Sequence, residues 1–270
     1  MKSFYILKLT FYLVSFLTFL LNAVERIFVF LFNKPILIHT YLVKKKLPKH
    51  KKEFLESSVL FYQKLNEKQK VYFEHRLVKF LRNYDFIERD GFKMTPEAKV
   101  LMASSYIKLT FGMRKYLTST FNKIIVYPTS YYSLITKQYH KGEFNPGLKL
   151  IIFSWEDFLL GEVVLNDNLN LGIHEFTHAL TFHGKQSKDV SARIFYRAYL
   201  EIIKFMRNPD NSTEVIESGY FRDYANTNAL EFVSVIMEHF FETPEDLKQK
   251  FPKLYFKIER MLNYKKIIKR

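Results

Sequence analysis

Twelve residues constrain this chain most: Leu169-Asn170-Leu171-Gly172-Ile173-His174-Glu175-Phe176-Thr177-His178-Ala179-Leu180. They contain the pattern His-Glu-x-x-His. On a helix, residues four apart share a face, so His174 and His178 aim two imidazoles at one point. Zn2+ takes neutral imidazole nitrogen into a tetrahedral site. Glu175 follows the first histidine and projects beside that point, where it can accept a proton from metal-bound water. Asp167, Asn168 and Asn170 supply polar groups that can cap the helix. One helical turn therefore offers two ligands and a general base, and the remaining chain must supply a third ligand and walls.

The sequence has no cysteine, so thiolate zinc sites and disulfides are excluded. The third ligand must come from His, Asp or Glu. Glu231 lies in the apolar run Ala229-Leu230-Glu231-Phe232-Val233, where a carboxylate needs a partner. Glu238 lies seven residues on, near the same helix face, and can serve instead or hydrogen-bond a ligand from behind. His183 is rotated off the metal face and reads as a cleft or surface residue. His140 falls in a loop and can touch substrate, although a loop histidine is more often simply solvated. His239 reads as packing.

A second feature sets the location. From Phe4 to Val24 the chain is apolar except for Lys8 and a few Ser, Thr and Asn. Twenty-one helical residues cover about 30 Å, the thickness of a bilayer core. This predicts one membrane-crossing helix. A cleaved signal peptide is shorter and is followed by a small-x-small site; an amphipathic helix lying in the interface is the plainer alternative. The patches Ile27–Phe32 and Ile36–Val43 support membrane proximity in either case. The net charge is +15, of which +9 falls within residues 1–52. That concentration points to anionic lipid or topology signalling and away from nucleic acid. The heavier lysine run, Lys44 to Lys52, follows the apolar segment and predicts that the domain lies in the cytoplasm.

The expected organisation is a membrane anchor with a basic juxtamembrane segment (1–52) and one domain (53–270). Within it, 53–113 is helical, 121–168 holds a small sheet and 169–264 carries the active-site helices. Helices are expected over Phe54–Leu65 and Gln69–Leu81, with Phe61, Tyr62, Tyr72, Phe73 and Phe80 in the core. Arg89-Asp90-Gly91 is a turn, and Thr95-Pro96 opens a helix that runs to about Thr110. Strands are expected at Ile124–Tyr127 and Leu148–Trp155, with Glu162–Leu165 as a possible third. Tyr139–Gly147 reads as a turn between the first two. The Leu148–Trp155 strand is expected to be an edge that holds extended substrate. Helices follow over 187–207, capped by Ser187, over Asn226–Phe241, from Thr243-Pro244, and over 251–264 ahead of a basic tail. The fold class is α+β, mainly α.

Several segments together are more specific than the zinc motif. Ser154-Trp155, Asp167-Asn168-x-Asn170-x-x-x-His174-Glu175-Phe176-x-His178, Tyr224-x6-Glu231-Phe232 and Glu238-x-Phe240-Phe241-x-x-Pro244 resemble the MtfA family of zinc metallopeptidases, peptidase family M90. That family is similar to the catalytic domain of anthrax lethal factor, and the match covers roughly residues 53–250. The resemblance implies a zincin-like domain binding one Zn2+, with His174, His178 and Glu231 as ligands. It further implies Glu175 as general base, Tyr224 as a hydroxyl near the oxyanion, and peptides or proteins as substrates. The chain departs from the family by its N-terminal apolar segment and by Thr177, where alanine is usual. Family members are also associated with binding a sugar-responsive repressor, so a zinc-fold protein that captures a regulatory partner is the alternative function. An intramembrane protease is disfavoured, because the residues flanking the motif are too polar for a spanning helix.

Overall fold

The computed structural model describes residues 2–133 and 136–264, apart from the side chains of residues 2–7 and 22. The side chain of Lys2 and the basic tail beyond residue 264 lie outside the described residues. The fold is mainly helical with a small sheet.

Helix α1 spans Lys2–Phe32. Its Lys8–Phe32 stretch is long and apolar enough to cross a membrane. Of its described side chains, Leu9, Phe11, Leu13, Phe16 and Phe19 are all exposed. One of its residues is drawn inward. The Glu25 carboxylate meets Arg114 at 2.5 Å, and the same guanidinium lies 3.6 Å from Asp189.

Next come α2 (Lys49–Ser58), which runs across residue 52, and the single turn α3 (Leu60–Gln63). Helix α4 (Glu67–Asn83) follows, started by a capping box between Asn66 and Gln69. Strand β1 (Asp85–Glu88) ends in the expected turn, where Asp90 and Gly91 both adopt positive φ. Thr95 then caps α5 (Pro96–Thr110). Of the expected aromatic stripe, Phe61, Tyr62, Phe73 and Phe80 are buried. The core continues through Tyr106, whose ring lies 4.9 Å from Phe80 and 5.1 Å from Phe176.

The sheet has the order β1-β2-β6-β5. Strand β2 (Lys123–Tyr127) runs parallel to β1 and to β6 (Leu150–Ser154), while β5 (Gly142–Asn145) pairs antiparallel to β6. Four sequence expectations change here. Strand β1 lies in residues 53–113, expected to be helical, and joins the sheet through β2. The strand expected as an edge, β6, is central, because β5 pairs along its other side. The segment expected as a turn is instead β4 (Gln138–His140), which pairs with β3 (Tyr131–Ser133), followed directly by β5. And Glu162–Leu165 is no strand. Ser154 caps α6 (Trp155–Val163), which absorbs its first residues; a short apolar run reads alike in both periodicities.

Helix α7 (Leu171–Gln186) carries the zinc motif. Helix α8 (Val190–Met206) is capped by Asp189 and not by Ser187, since the Asp carboxylate accepts from the amides of Ser191 and Ala192. Asn208 starts α9 (Pro209–Glu217). A 3-10 turn covers Asp223–Asn226, so α10 (Ala229–Glu242) begins three residues later than expected. Helices α11 (Pro244–Lys250) and α12 (Pro252–Met261) complete the described chain.

Candidate active site

The Asn170 side chain accepts from the amide of Ile173 at 2.9 Å and so sets the first turn of α7. This places His174 and His178 on one buried face, with rings 4.6 Å apart and nearly perpendicular. Helix α10 packs along α7. Its cap, Asn228, accepts from the amides of Leu230 and Glu231 and fixes where Glu231 emerges. Glu231 Oε2 lies 2.8 Å from His174 Nε2 and 3.4 Å from His178 Nε2. A tetrahedral ion with bonds near 2.0–2.1 Å holds its ligand atoms roughly 3.3 Å apart, so this donor set is of the right size and type for one zinc. The ligand atoms of His174, Glu175 and His178 also fall within 4.8 Å of one another.

The electrostatics ask for a cation. Glu175, Glu231 and Glu238 surround two imidazoles. Burial disfavours charge on His174, but hydrogen bonds to Glu231 and Glu238 overcome it and lift its pKa to about 10. Glu231 is correspondingly held well below the usual carboxylate range by the two histidines, against its own desolvation. Burial pushes the Glu175 carboxyl up, against the pull of His178 and His174. A carboxyl shifted toward neutrality is suited to exchanging a proton.

Glu238 does not reach the shared point. It lies behind His174 and accepts from its Nδ1 at 2.8 Å. The same carboxylate accepts from the amide of Asn170 at 2.9 Å and from both terminal nitrogens of Arg222 at 3.1 and 2.7 Å. A neutral imidazole whose Nδ1–H is held in this way turns the lone pair of Nε2 toward the shared point. Ser234 stands 3.4 Å from His178 Nδ1. Thr177 turns its hydroxyl onto the carbonyl of Ile173, so its departure from alanine stays inside the helix.

Tyr224 sits half-exposed on the 3-10 turn, its ring 5.8 Å from that of His174. Partial burial and the Glu231 carboxylate push its phenol up to about 12, so it remains a hydrogen donor at neutral pH. Across the cleft, β5 presses its backbone against α7. A Cβ on Gly142 would meet Leu171 Cδ1 at 2.7 Å and Glu175 Oε1 at 2.8 Å. The cleft has a volume of about 330 Å3 and is lined by Gly142, Leu160, Leu171, His174, Glu175 and Tyr224, among others.

Of the remaining histidines, His140 stands at the rim of this cleft and bonds to Thr136. His183 lines a different groove, beside Asp189. His239 packs between Tyr220 and Phe221. Sequence reading missed Arg222 and Gly142. Arg222 carried only a weak signal, one basic residue two before Tyr224. Gly142 was read as a turn residue because glycine and proline surround it.

The family model for glucose-regulated metallo-peptidase M90 matches residues 38–263. This chain belongs to peptidase family M90. It is also 25% identical over 238 residues to an uncharacterized protein of Synechocystis sp., across 79% of this chain and 83% of that protein. The M90 match begins after α1. Membership makes the chain a metallopeptidase by family, and the buried His174-Glu175-His178 group can bind the metal such an enzyme requires.

Proposed function

We propose that this M90 protein is a zincin-like, zinc-dependent peptidase held at the membrane by α1, with its domain in the cytoplasm. The observation that carries the reading is the convergence of His174 Nε2, His178 Nε2 and one Glu231 oxygen on one point beside Glu175. His174, His178 and Glu231 would hold one Zn2+. When bound, the zinc acidifies a water and polarises the substrate carbonyl.

The chain's own groups do the rest. Glu175 takes the proton of the attacking water and later delivers it to the leaving amine. The Tyr224 hydroxyl donates to the oxygen that gains charge. Glu238, clamped by Arg222, holds the His174 ring in the tautomer that leaves Nε2 for the metal. Edge strand β5, which no described strand pairs on its outer side, can hold extended substrate, a role moved here from β6.

The test is Glu175→Gln. The amide cannot accept a proton, so zinc stoichiometry should stay at one while peptide hydrolysis falls by roughly 100- to 10,000-fold. Hydrolysis at the wild-type rate would refute Glu175 as the general base.

A further inference from the structure

A groove runs between α1 and α8 and shares no lining residue with the cleft beside Glu175. It is lined by Arg26, Val29 and Phe30 of α1 and by Val190, Arg193, Ile194 and Arg197 of α8, with a volume of about 380 Å3. A second groove adjoins it and shares Arg26 and Val190; Lys115 and Lys188 add further positive charge there. Arg26, Lys188, Arg193 and Arg197 are exposed. Among the described residues, no carboxylate lies in ion-pair range of any of these four. The carboxylates nearest in the chain are already engaged, because Glu25 and Asp189 both face Arg114.

Like charges gathered on one face repel, and a bound anion relieves that repulsion. Arg193 and Arg197 stand four apart on one helix face, where like charges repel. Arg26 adds a third guanidinium from across the groove. Each guanidinium presents a planar fork of donors that matches phosphate oxygens. Between the arginines lie Val29 and Phe30, with the buried Ile194 as the floor, a lining for hydrocarbon. Height along α1 fits the same ligand. If Phe4–Val24 fills the bilayer core, then Glu25 and Arg26 stand where that core ends and headgroups begin.

We propose that the α1–α8 groove binds the phosphate headgroup of an anionic membrane phospholipid. Arg26, Arg193 and Arg197 hold the phosphate, and Val29, Phe30 and Ile194 take the upper acyl chain. The proposal rests on the membrane-anchor reading. Cytoplasmic leaflets carry anionic lipid, which attracts basic groups near their surface. A lipid seated there would brace α1 against α8, directly after the helix that carries the zinc motif.

The full chain, reconstituted in phosphatidylcholine vesicles, tests both readings separately. Flotation with the vesicles after an alkaline wash reports the anchor; failure to float overturns the anchor and the lipid site together. With flotation retained, spin-labelled phosphatidylglycerol and phosphatidylcholine are compared for the fraction immobilised by the protein. The expected result is a preference for phosphatidylglycerol that falls about fivefold for each arginine removed, in Arg193→Gln and then Arg193→Gln/Arg197→Gln. Peptidase activity in detergent should stay at the wild-type level in both variants. Equal immobilisation of the two lipids, or a preference unchanged in the double variant, overturns the proposal. Displacement of the labelled lipid by inorganic phosphate, but not by chloride at matched ionic strength, would assign the groove to free phosphate instead.

Discussion

Glu238→Gln is the most informative single change at the metal centre. The Glu238 side chain is 1% exposed and satisfies four donors: His174 Nδ1, the Asn170 amide and two nitrogens of Arg222. Glutamine has nearly the same shape but one acceptor oxygen and one NH2. With its oxygen in the place of Oε2, the NH2 meets the Nδ1–H of His174 and one Arg222 nitrogen, donor against donor. With its oxygen in the place of Oε1, the NH2 meets the Asn170 amide and the other Arg222 nitrogen. Either way, a charge-assisted hydrogen bond at a buried position is lost and a donor is stranded. Loss of a carboxylate behind a metal-bound histidine usually weakens metal binding 10- to 100-fold, or about 1.4–2.7 kcal/mol. The unpaired Arg222 should lower folding stability as well, by up to about 3 kcal/mol. Zinc affinity would be read by competition against a chromophoric chelator, with circular dichroism as the check on folding. Zinc affinity within twofold of wild type, in a folded variant, would refute the argument that the Glu238 carboxylate strengthens His174 as a ligand.

Further outcomes are expected. Glu231→Ala should leave a folded protein whose zinc content falls well below one per chain, measured by atomic absorption; full occupancy would mean that Glu231 is no ligand. Tyr224→Phe should keep zinc and lower kcat by roughly 10- to 100-fold with little change in KM, since its hydroxyl acts on developing charge; an unaltered kcat would remove it from the reaction. Stability should also respond to acid through groups outside the site. Burial lowers His239 to about 4 and His39 to about 3. Above pH 6.5 these groups are neutral in both states and contribute nothing. Below it the unfolded chain takes up protons that the folded chain refuses, so stability falls, by up to about 1.4 kcal/mol per pH unit for each group. Glu242 opposes this. Burial raises its carboxyl to about 7, so it favours the folded state at low pH and loses that contribution as pH rises from 4.5 to 7. Glu242→Gln should therefore make the decline in melting temperature between pH 6.5 and 4.5 steeper than in wild type; matching profiles would show that Glu242 does not titrate in this way.

Several features were legible because they are local. His-x-x-x-His is a one-turn statement that needs only a helix, and Asn170 and Thr95 cap their own helices within three residues. The apolar run of α1 needs only a length. The Arg89-Asp90-Gly91 turn follows from the two residues best able to adopt positive φ. Pairing partners were not legible. Whether Leu150–Ser154 is an edge depends on whether another strand lies beside it, and Gly142–Asn145 is too short and too polar to announce itself. The caps at 187–190 offered Ser187 and Asp189 two residues apart, and the choice fell to the one whose carboxylate reaches two amides.

The sequence by itself determined the chemistry available: two imidazoles and a carboxylate on one turn, no thiols, and a membrane-length helix ahead of a family domain. Tertiary structure decided how those groups are used. Glu231 and Glu238 are seven residues apart on one helix, and periodicity cannot separate them. Only the packing of α10 against α7 puts one on the Nε2 side of His174 and the other, with Arg222, on the Nδ1 side. The physical reason is that a donor's role depends on which nitrogen it faces, and facing is set by how two helices pack.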